Sequence, residues 1–322
     1  MRRISLILAV AMVFCADKAL YAQQSVVKNI NEYGKFDRWC VREVKESDII
    51  GGKTKYLYEF FGNGDTVVTR EPLVKPSSYL WRTNNVLANV AGVYKTNTTV
   101  FPEKRGDGYC ARIETHVEEV VAFGINMQVV CQGAMLIGDL IEPIKNTKDP
   151  LGKVLYGVKF NGRPKALVYD YKADVGHTVV RGTGFSKLKT LDYPDYPEVC
   201  IILQKRWEDE NGEIHALRVG TGYERIMKNA PQWVDGYSLE IKYGDITSSP
   251  AYKEYMGLQK DPSTAFHSLN SKGKNVAVTE EGWASPDVEP NFMVIKFLAS
   301  CNEAFYGGVG NILWIDNVRL EM

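Results

Sequence analysis

Four histidines, His116, His177, His215 and His267, are scattered along the chain with no metal-ligand spacing such as His-Glu-x-x-His. No Gly-x-Ser-x-Gly turn presents a nucleophilic serine. Zinc-dependent and serine-hydrolase chemistry therefore have no sequence support. Paired carboxylates are the next resource. Acid–base cleavage of a glycosidic bond needs two of them, roughly 5–5.5 Å or 6.5–9.5 Å apart. Residues two apart on a strand share one face and could supply such a pair. Glu208 and Glu210 have that spacing but flank the Asn211-Gly212 turn. Glu118-Glu119 and Glu280-Glu281 are adjacent and would point to opposite faces, and Asp139 and Asp149 are too far apart in sequence to share a strand face. A pair could still assemble from distant strands.

Aromatic rings offer a different chemistry. The chain has 6 Trp and 18 Tyr. Flat rings stack on the C–H faces of sugars while a few fixed polar groups hold the hydroxyls. Trp81 stands beside Arg82 and Asn84. Trp207 stands beside Arg206 and Glu208. Trp283 lies in the run Glu280-Glu-Gly-Trp-Ala-Ser-Pro286. Arg163, Asp170 and Lys172 are near one another, and Asp170 and Lys172 share a strand face. The carbohydrate-binding set is thus Trp81, Asn84, Arg163, Asp170, Lys172, Trp207 and Trp283. Each has a plain structural alternative: a tryptophan can pack in the core, as expected for Trp39 and Trp314, and Asp170 and Lys172 can pair with each other on a wet face.

The elements that would position these residues read as strands. In Gly157-Val-Lys-Phe-Asn-Gly-Arg-Pro-Lys-Ala-Leu-Val-Tyr-Asp-Tyr-Lys172, Leu167, Tyr169 and Tyr171 alternate with Val168, Asp170 and Lys172. Asn161-Gly162 suits a hairpin turn with positive φ. Gly62-Asn-Gly-Asp65 predicts a hairpin between 56–61 and 66–69, and Asp209-Glu-Asn-Gly212 predicts a second with long arms. Further strands are expected over 36–44, 79–84, 109–116, 126–140, 237–243, 275–279, 291–298 and 312–320. The one helix candidate, 249–271, is bracketed by Pro250 and Pro262. About a dozen strands without long amphipathic helices exclude a parallel α/β sheet. The expected fold is all-β, an antiparallel β-sandwich of jelly-roll type.

Residues 1–22 have the layout of a secretory signal peptide: Arg2-Arg3, an apolar run from Leu6 to Cys15, and Ala22 at a cleavage position. Lipidation at Cys15 is the alternative, although bulky Phe14 stands just before it. Residues 23–322 are then one jelly-roll domain with loop insertions, secreted, periplasmic or on the outer surface. No later run is long and apolar enough to cross a membrane. Lys+Arg and Asp+Glu balance at 39 each, so no strong field favours nucleic acid or anionic lipid. Cys40, Cys110, Cys131, Cys200 and Cys301 contain no Cys-x-x-Cys pair. They read as buried thiols, with one or two disulfides open to them in an oxidising compartment.

Several motifs carry a resemblance. Phe36-Asp-Arg-Trp39, Trp81-Arg-Thr-Asn84, Gly133-Ala-Met-Leu-Ile-Gly138, the Gly157–Lys172 stretch and Phe305-Tyr-Gly-Gly-Val-Gly-Asn-Ile-Leu-Trp-Ile-Asp-Asn-Val-Arg-Leu320 occur in order from residue 36 to the end. Together they resemble the family of secreted Bacteroidetes proteins known as the "putative carbohydrate metabolism domain". The chain departs from the family pattern at Cys301 and Asn302, where serines are usual, and at Asn317, where a second aspartate is usual. The resemblance implies a jelly roll like those of carbohydrate-binding modules. By position, Asp316 is where a structural calcium ion would be held. The leading expectation is non-catalytic binding of a polysaccharide or oligosaccharide in polysaccharide use, within a cell-surface assembly. The alternatives are a glycoside hydrolase using two carboxylates and a structural or adhesin-like surface module.

Overall fold

A computed structural model describes residues 24–62, 64–122, 125–146, 151–184, 186–262 and 264–322. The expected signal peptide, Cys15 and Asp149 lie outside the described residues. The fold is the all-β sandwich expected. Its larger sheet has ten strands, with the central order Ala134–Leu140, Phe292–Leu298, Glu198–Glu208, Ile214–Arg225, Asn275–Trp283. Its smaller sheet has five, in the order Ala230–Glu240, Ala166–Asp174, Ile312–Glu321, Gly108–Glu114, Val100–Arg105. Most pairings are antiparallel, but Asn275–Trp283 runs parallel to Ile214–Arg225.

The two sheets face each other across one core. Leu167, Tyr169, Leu313 and Ile315 from the smaller sheet share a buried cluster with Val199, Ile201, Met293, Ile295 and Phe297 from the larger. Tyr169 meets Phe297 edge-on across the seam, with ring centroids 5.3 Å apart. Because side chains alternate along a strand, Cys200, Ile202 and Val294 must point the other way. They form a second cluster with Ile214, Ala216, Phe266 and Val278 on the outer face of the larger sheet. Strands covered on both faces explain the unbroken apolar runs 199–203 and 292–295.

The hairpin at Asp209–Gly212 forms as expected: Glu208 pairs with Ile214, and Gly212 turns with φ 84°. Two other turns differ. Val158–Lys159 joins the larger sheet while Ala166–Asp174 joins the smaller, so Gly157–Lys172 is a crossing between sheets and no hairpin. Neither Asn161 nor Gly162 has positive φ. The strands Thr54–Glu59 and Thr66–Val68 likewise do not pair with each other. Both flank Cys40–Lys45, the second in parallel. Local turn chemistry pointed to pairing, but the strands found other partners.

Residues 24–33 form a helix where only strands were expected. Val26, Ile30 and Tyr33 recur at helical spacing and pack on the main core. The chain leaves this helix at Gly34, where a Cβ would stand 2.1 Å from the Val318 carbonyl oxygen. The expected helix at 249–271 reduces to a 3₁₀ turn, Glu254–Met256. All five described cysteines are free thiols. No helix among the described residues is long and apolar enough to cross a membrane.

Candidate functional site

Strand register builds a platform on the outer face of the larger sheet. Glu198 lies opposite Arg225 on one neighbour and opposite Leu298 on the other, and Leu298 lies opposite Ala134. One step along, Cys200 lies between Tyr223 and Lys296, and Lys296 lies opposite Leu136. These two rows floor a cavity of about 470 Å³. One wall is the segment carrying Tyr255, Gln259 and Phe266. The other is the loop Ser300–Ala304, and Tyr156 closes an edge.

Each wall is tied to the sheet by a buried carboxylate. Glu280 accepts hydrogen bonds from Arg218 Nε at 2.6 Å, Gln204 Nε2 at 2.6 Å and the Gln259 amide at 2.8 Å. Arg218 also donates to the carbonyls of Met256 and Gly257 at 3.3 and 3.2 Å. Asp195 holds the opposite loop. It accepts from the Cys301 amide at 3.1 Å, Asn302 Nδ2 at 2.6 Å and the Gly308 amide at 2.6 Å. Cys301 and Asn302, two of the departures from the family pattern, are thus the residues that engage this anchor.

On the floor, Glu198 accepts from Tyr223 Oη, from Lys296 Nζ at 3.0 Å and from Arg225 Nε at 3.1 Å. Burial alone would raise the Glu198 pKa. The Lys296 charge and these hydrogen bonds outweigh it and hold the carboxyl below its usual range. Burial pushes the Tyr223 phenol well up and the Cys301 thiol up to about 12, so neither is an anion near neutrality. Aromatic faces surround the polar groups. The Tyr223 and Tyr255 centroids are 5.5 Å apart, those of Tyr156 and Phe266 are 5.2 Å apart, and Arg225 lies 4.1 Å above Tyr255.

The residues expected from sequence do not converge here. Only Asn84 lines the cavity, and its amide is committed elsewhere: Nδ2 donates to the Gln132 carbonyl at 2.7 Å, and Oδ1 accepts from the Ala134 amide at 2.9 Å. Trp81 is a correction. It is fully buried, 5.3 Å from Phe36 and 6.2 Å from Phe297, and offers no platform. Arg163 lies away from the cavity. It donates to the carbonyls of Val288, at 2.7 Å, and Pro286, and stacks 4.1 Å above Tyr243, so it clamps a loop. Trp207 is 44% exposed, stacked on His215 at 5.6 Å beside a separate depression. Trp283 is half-buried, 5.4 Å from Arg218.

Asp170, Lys172 and Asp316 lie on the outer face of the smaller sheet. Asp170 pairs neither with Lys172 nor with open solvent. It accepts from Arg105 Nη1 at 2.8 Å, the Gly236 amide at 2.7 Å and Asn317 Nδ2 at 2.7 Å. Burial would raise its pKa, but these bonds outweigh it and hold the carboxyl below its ordinary value. Asp316 sits opposite Asp170 and takes the same Arg105 Nη1 at 2.8 Å. The Arg105 guanidinium therefore bridges both acids. The departure at Asn317 fits this arrangement, since its amide donates to Asp170 and an aspartate could not. Lys172 lies 4.0 Å above Trp314, which is half-buried on this outer face and is not a core residue.

Among the described residues, Asp209, Glu213 and His215 have ligand atoms within 4.8 Å of one another. They sit at the tip of the Asp209–Gly212 hairpin. Asp209 Oδ1 is already occupied by the amides of Asn211 and Glu213 at 3.0 and 2.8 Å.

Sequence reasoning missed Glu198, Tyr223, Arg225, Tyr255 and Lys296. A signal was present: Glu198 stands directly before the apolar run 199–203, and Lys296 interrupts the otherwise apolar run 292–298. A charge at such a position must have a buried partner or face a cavity.

No family model matches the chain, and no curated protein matches it. Among solved structures, the chain is similar to one named "putative glycoside hydrolase" from Bacteroides thetaiotaomicron. That match has 17% identity and a TM-score of 0.47, and covers 87% of this chain and 70% of the other. A second structure of the same name, from Bacteroides vulgatus, matches at 13% identity and a TM-score of 0.44, over 89% and 96% of the two chains.

Proposed function

We propose that this protein binds a glycan in the cavity on the outer face of its larger sheet and does not cleave it. The observation that carries the reading is the composition of that cavity. Its rim and walls present Tyr156 and Tyr255, whose rings suit the C–H faces of a sugar. Its floor presents fixed charged donors on rigid strands, which suit hydroxyls and ring substituents. A volume of about 470 Å³ matches one or two sugar residues. Secretion through residues 1–22 and a place in polysaccharide use belong to the same reading. So does membership of the carbohydrate family that the motifs resemble.

Binding is preferred to hydrolysis on the state of the carboxylates. Glu198 is held ionised by three donors and has no proton to give a leaving group. Among the described residues, the other carboxylate lining the cavity is Glu303, exposed on the rim loop. Hydrolysis would need a neutral acid beside a second carboxylate.

The test is a glycan panel read for both binding and reducing-end release. Binding without release is expected. Tyr255→Ala should weaken binding by about 1 kcal/mol, roughly five-fold, through loss of the stacking face. Trp207→Ala should leave it unchanged, because Trp207 lines a different depression. Release that Glu303→Gln abolishes would replace this reading with the hydrolase. No binding across a broad panel would overturn both.

A further inference from the structure

The charge on the cavity floor does not balance. Resting on the binding site proposed above, we infer that its ligand is an acidic sugar, a glycan residue bearing a carboxylate that Arg225 and Lys296 bind together. Two cations face the floor, and among the described residues Glu198 is the one floor carboxylate between them. The remaining groups that could offset the second cation are neutral near pH 7. Burial raises the phenols of Tyr156, Tyr223 and Tyr255 and the thiol of Cys301. The rim carboxylate Glu303 is exposed and pairs with neither cation among the described residues.

Both cations have donors to spare. Arg225 uses Nε on Glu198 Oε2, at 3.1 Å, and no described residue accepts from its Nη1 or Nη2. Its plane is fixed by Tyr255, 4.1 Å below. Lys296 gives one proton to Glu198 Oε1, at 3.0 Å, and no other described acceptor takes the rest. Their side chains are only 27% and 14% exposed, so water compensates them poorly. An anion entering the cavity would restore neutrality where charge is costly to leave unpaired. The two terminal nitrogens of a guanidinium match the two oxygens of a carboxylate in a planar, bidentate contact. Glu198 has the part of a strut: it aligns both cations and, by taking Nε, leaves the Nη edge of Arg225 open.

The test is titration calorimetry at low salt with galacturonic and glucuronic acid, their neutral counterparts galactose and glucose, and glucose 6-sulfate. At least one uronic acid should bind roughly ten-fold or more tightly than its neutral counterpart, and the preference should shrink as salt rises. Arg225→Gln should remove most of the preference for the acidic sugar over its neutral counterpart. The salt series on the unaltered protein keeps the inference testable if that variant does not fold. Equal binding of acidic and neutral sugars, sensitive to Tyr255→Ala, would overturn the acidic ligand and leave the glycan-binding reading intact. Tighter binding of the sulfate than of either uronic acid would overturn the planar carboxylate contact. No binding by any of these sugars, combined with none across the broad panel, would overturn both.

Discussion

At the scale of single residues, the chain spends buried charge in more than one place, and one instance has a pH signature. Glu59 is almost fully buried, 3.5 Å from Arg82 Nη1, and its Oε2 accepts from Thr83 Oγ1 at 3.2 Å. Burial, with Glu142 nearby, outweighs the Arg82 charge and lifts its pKa from 4.5 to about 7. The folded chain therefore keeps this proton between about pH 4.5 and 7, whereas the unfolded chain releases it. The folded state binds the extra proton, so stability falls as pH rises through that window and levels off above 7. Glu59→Gln keeps the acceptor for Thr83 and removes the charge. It should flatten the slope and raise stability at pH 8 by on the order of 2 kcal/mol. Urea unfolding of both proteins from pH 4 to 9 would check this; parallel profiles would show that Glu59 titrates as an exposed carboxyl does. Nothing in Tyr56-Leu-Tyr-Glu59 announced this, because alternation marks which face a residue takes and not how deeply that face is covered.

At the scale of elements, local signals were legible where the chain closes on itself and failed where tertiary pairing decided. Asp209–Gly212 turned as its Asn-Gly predicted because its arms are each other's partners over the full length of the hairpin. Asn161-Gly162 did not, because Val158–Lys159 and Ala166–Asp174 bury their faces in opposite sheets. The loop 300–308 shows a third case. Its conformation rests on a distant residue, Asp195, which no local pattern singled out. Asp195 is fully buried and receives donors from Cys301, Asn302 and Gly308. Asp195→Ala would leave these buried donors unpaired and should cost about 2–4 kcal/mol. Because the same loop walls the cavity, sugar affinity should fall with it, and protease should cut the 300–308 segment sooner. A variant with lowered melting temperature but unaltered affinity would show that the loop does not shape the site.

At the scale of the molecule, alternation along the strands was enough to foresee a two-sheet sandwich. It was not enough to foresee where the cavity lies. Three of the seven expected binding residues, Arg163, Asp170 and Lys172, lie in the Gly157–Lys172 stretch, and there Arg105 neutralises Asp170 together with Asp316. The cavity lies on the other sheet, on strands that read as plain core. Ile201 and Ile202 separate the two surfaces of that sheet. Both are fully buried, but Ile201 points into the seam between sheets and Ile202 packs with Phe266 beneath the cavity. Ile201→Ala and Ile202→Ala should each cost about 2–5 kcal/mol, since each opens a hole in close-packed surroundings. Their functional effects should differ. Ile202→Ala loosens the support of the Phe266 wall and should weaken sugar binding, while Ile201→Ala should leave the affinity of the folded fraction unchanged. Denaturant unfolding and sugar titration on the same samples separate the two effects. Equal loss of affinity in both variants would mean that the site depends on the whole sandwich and not on its outer layer.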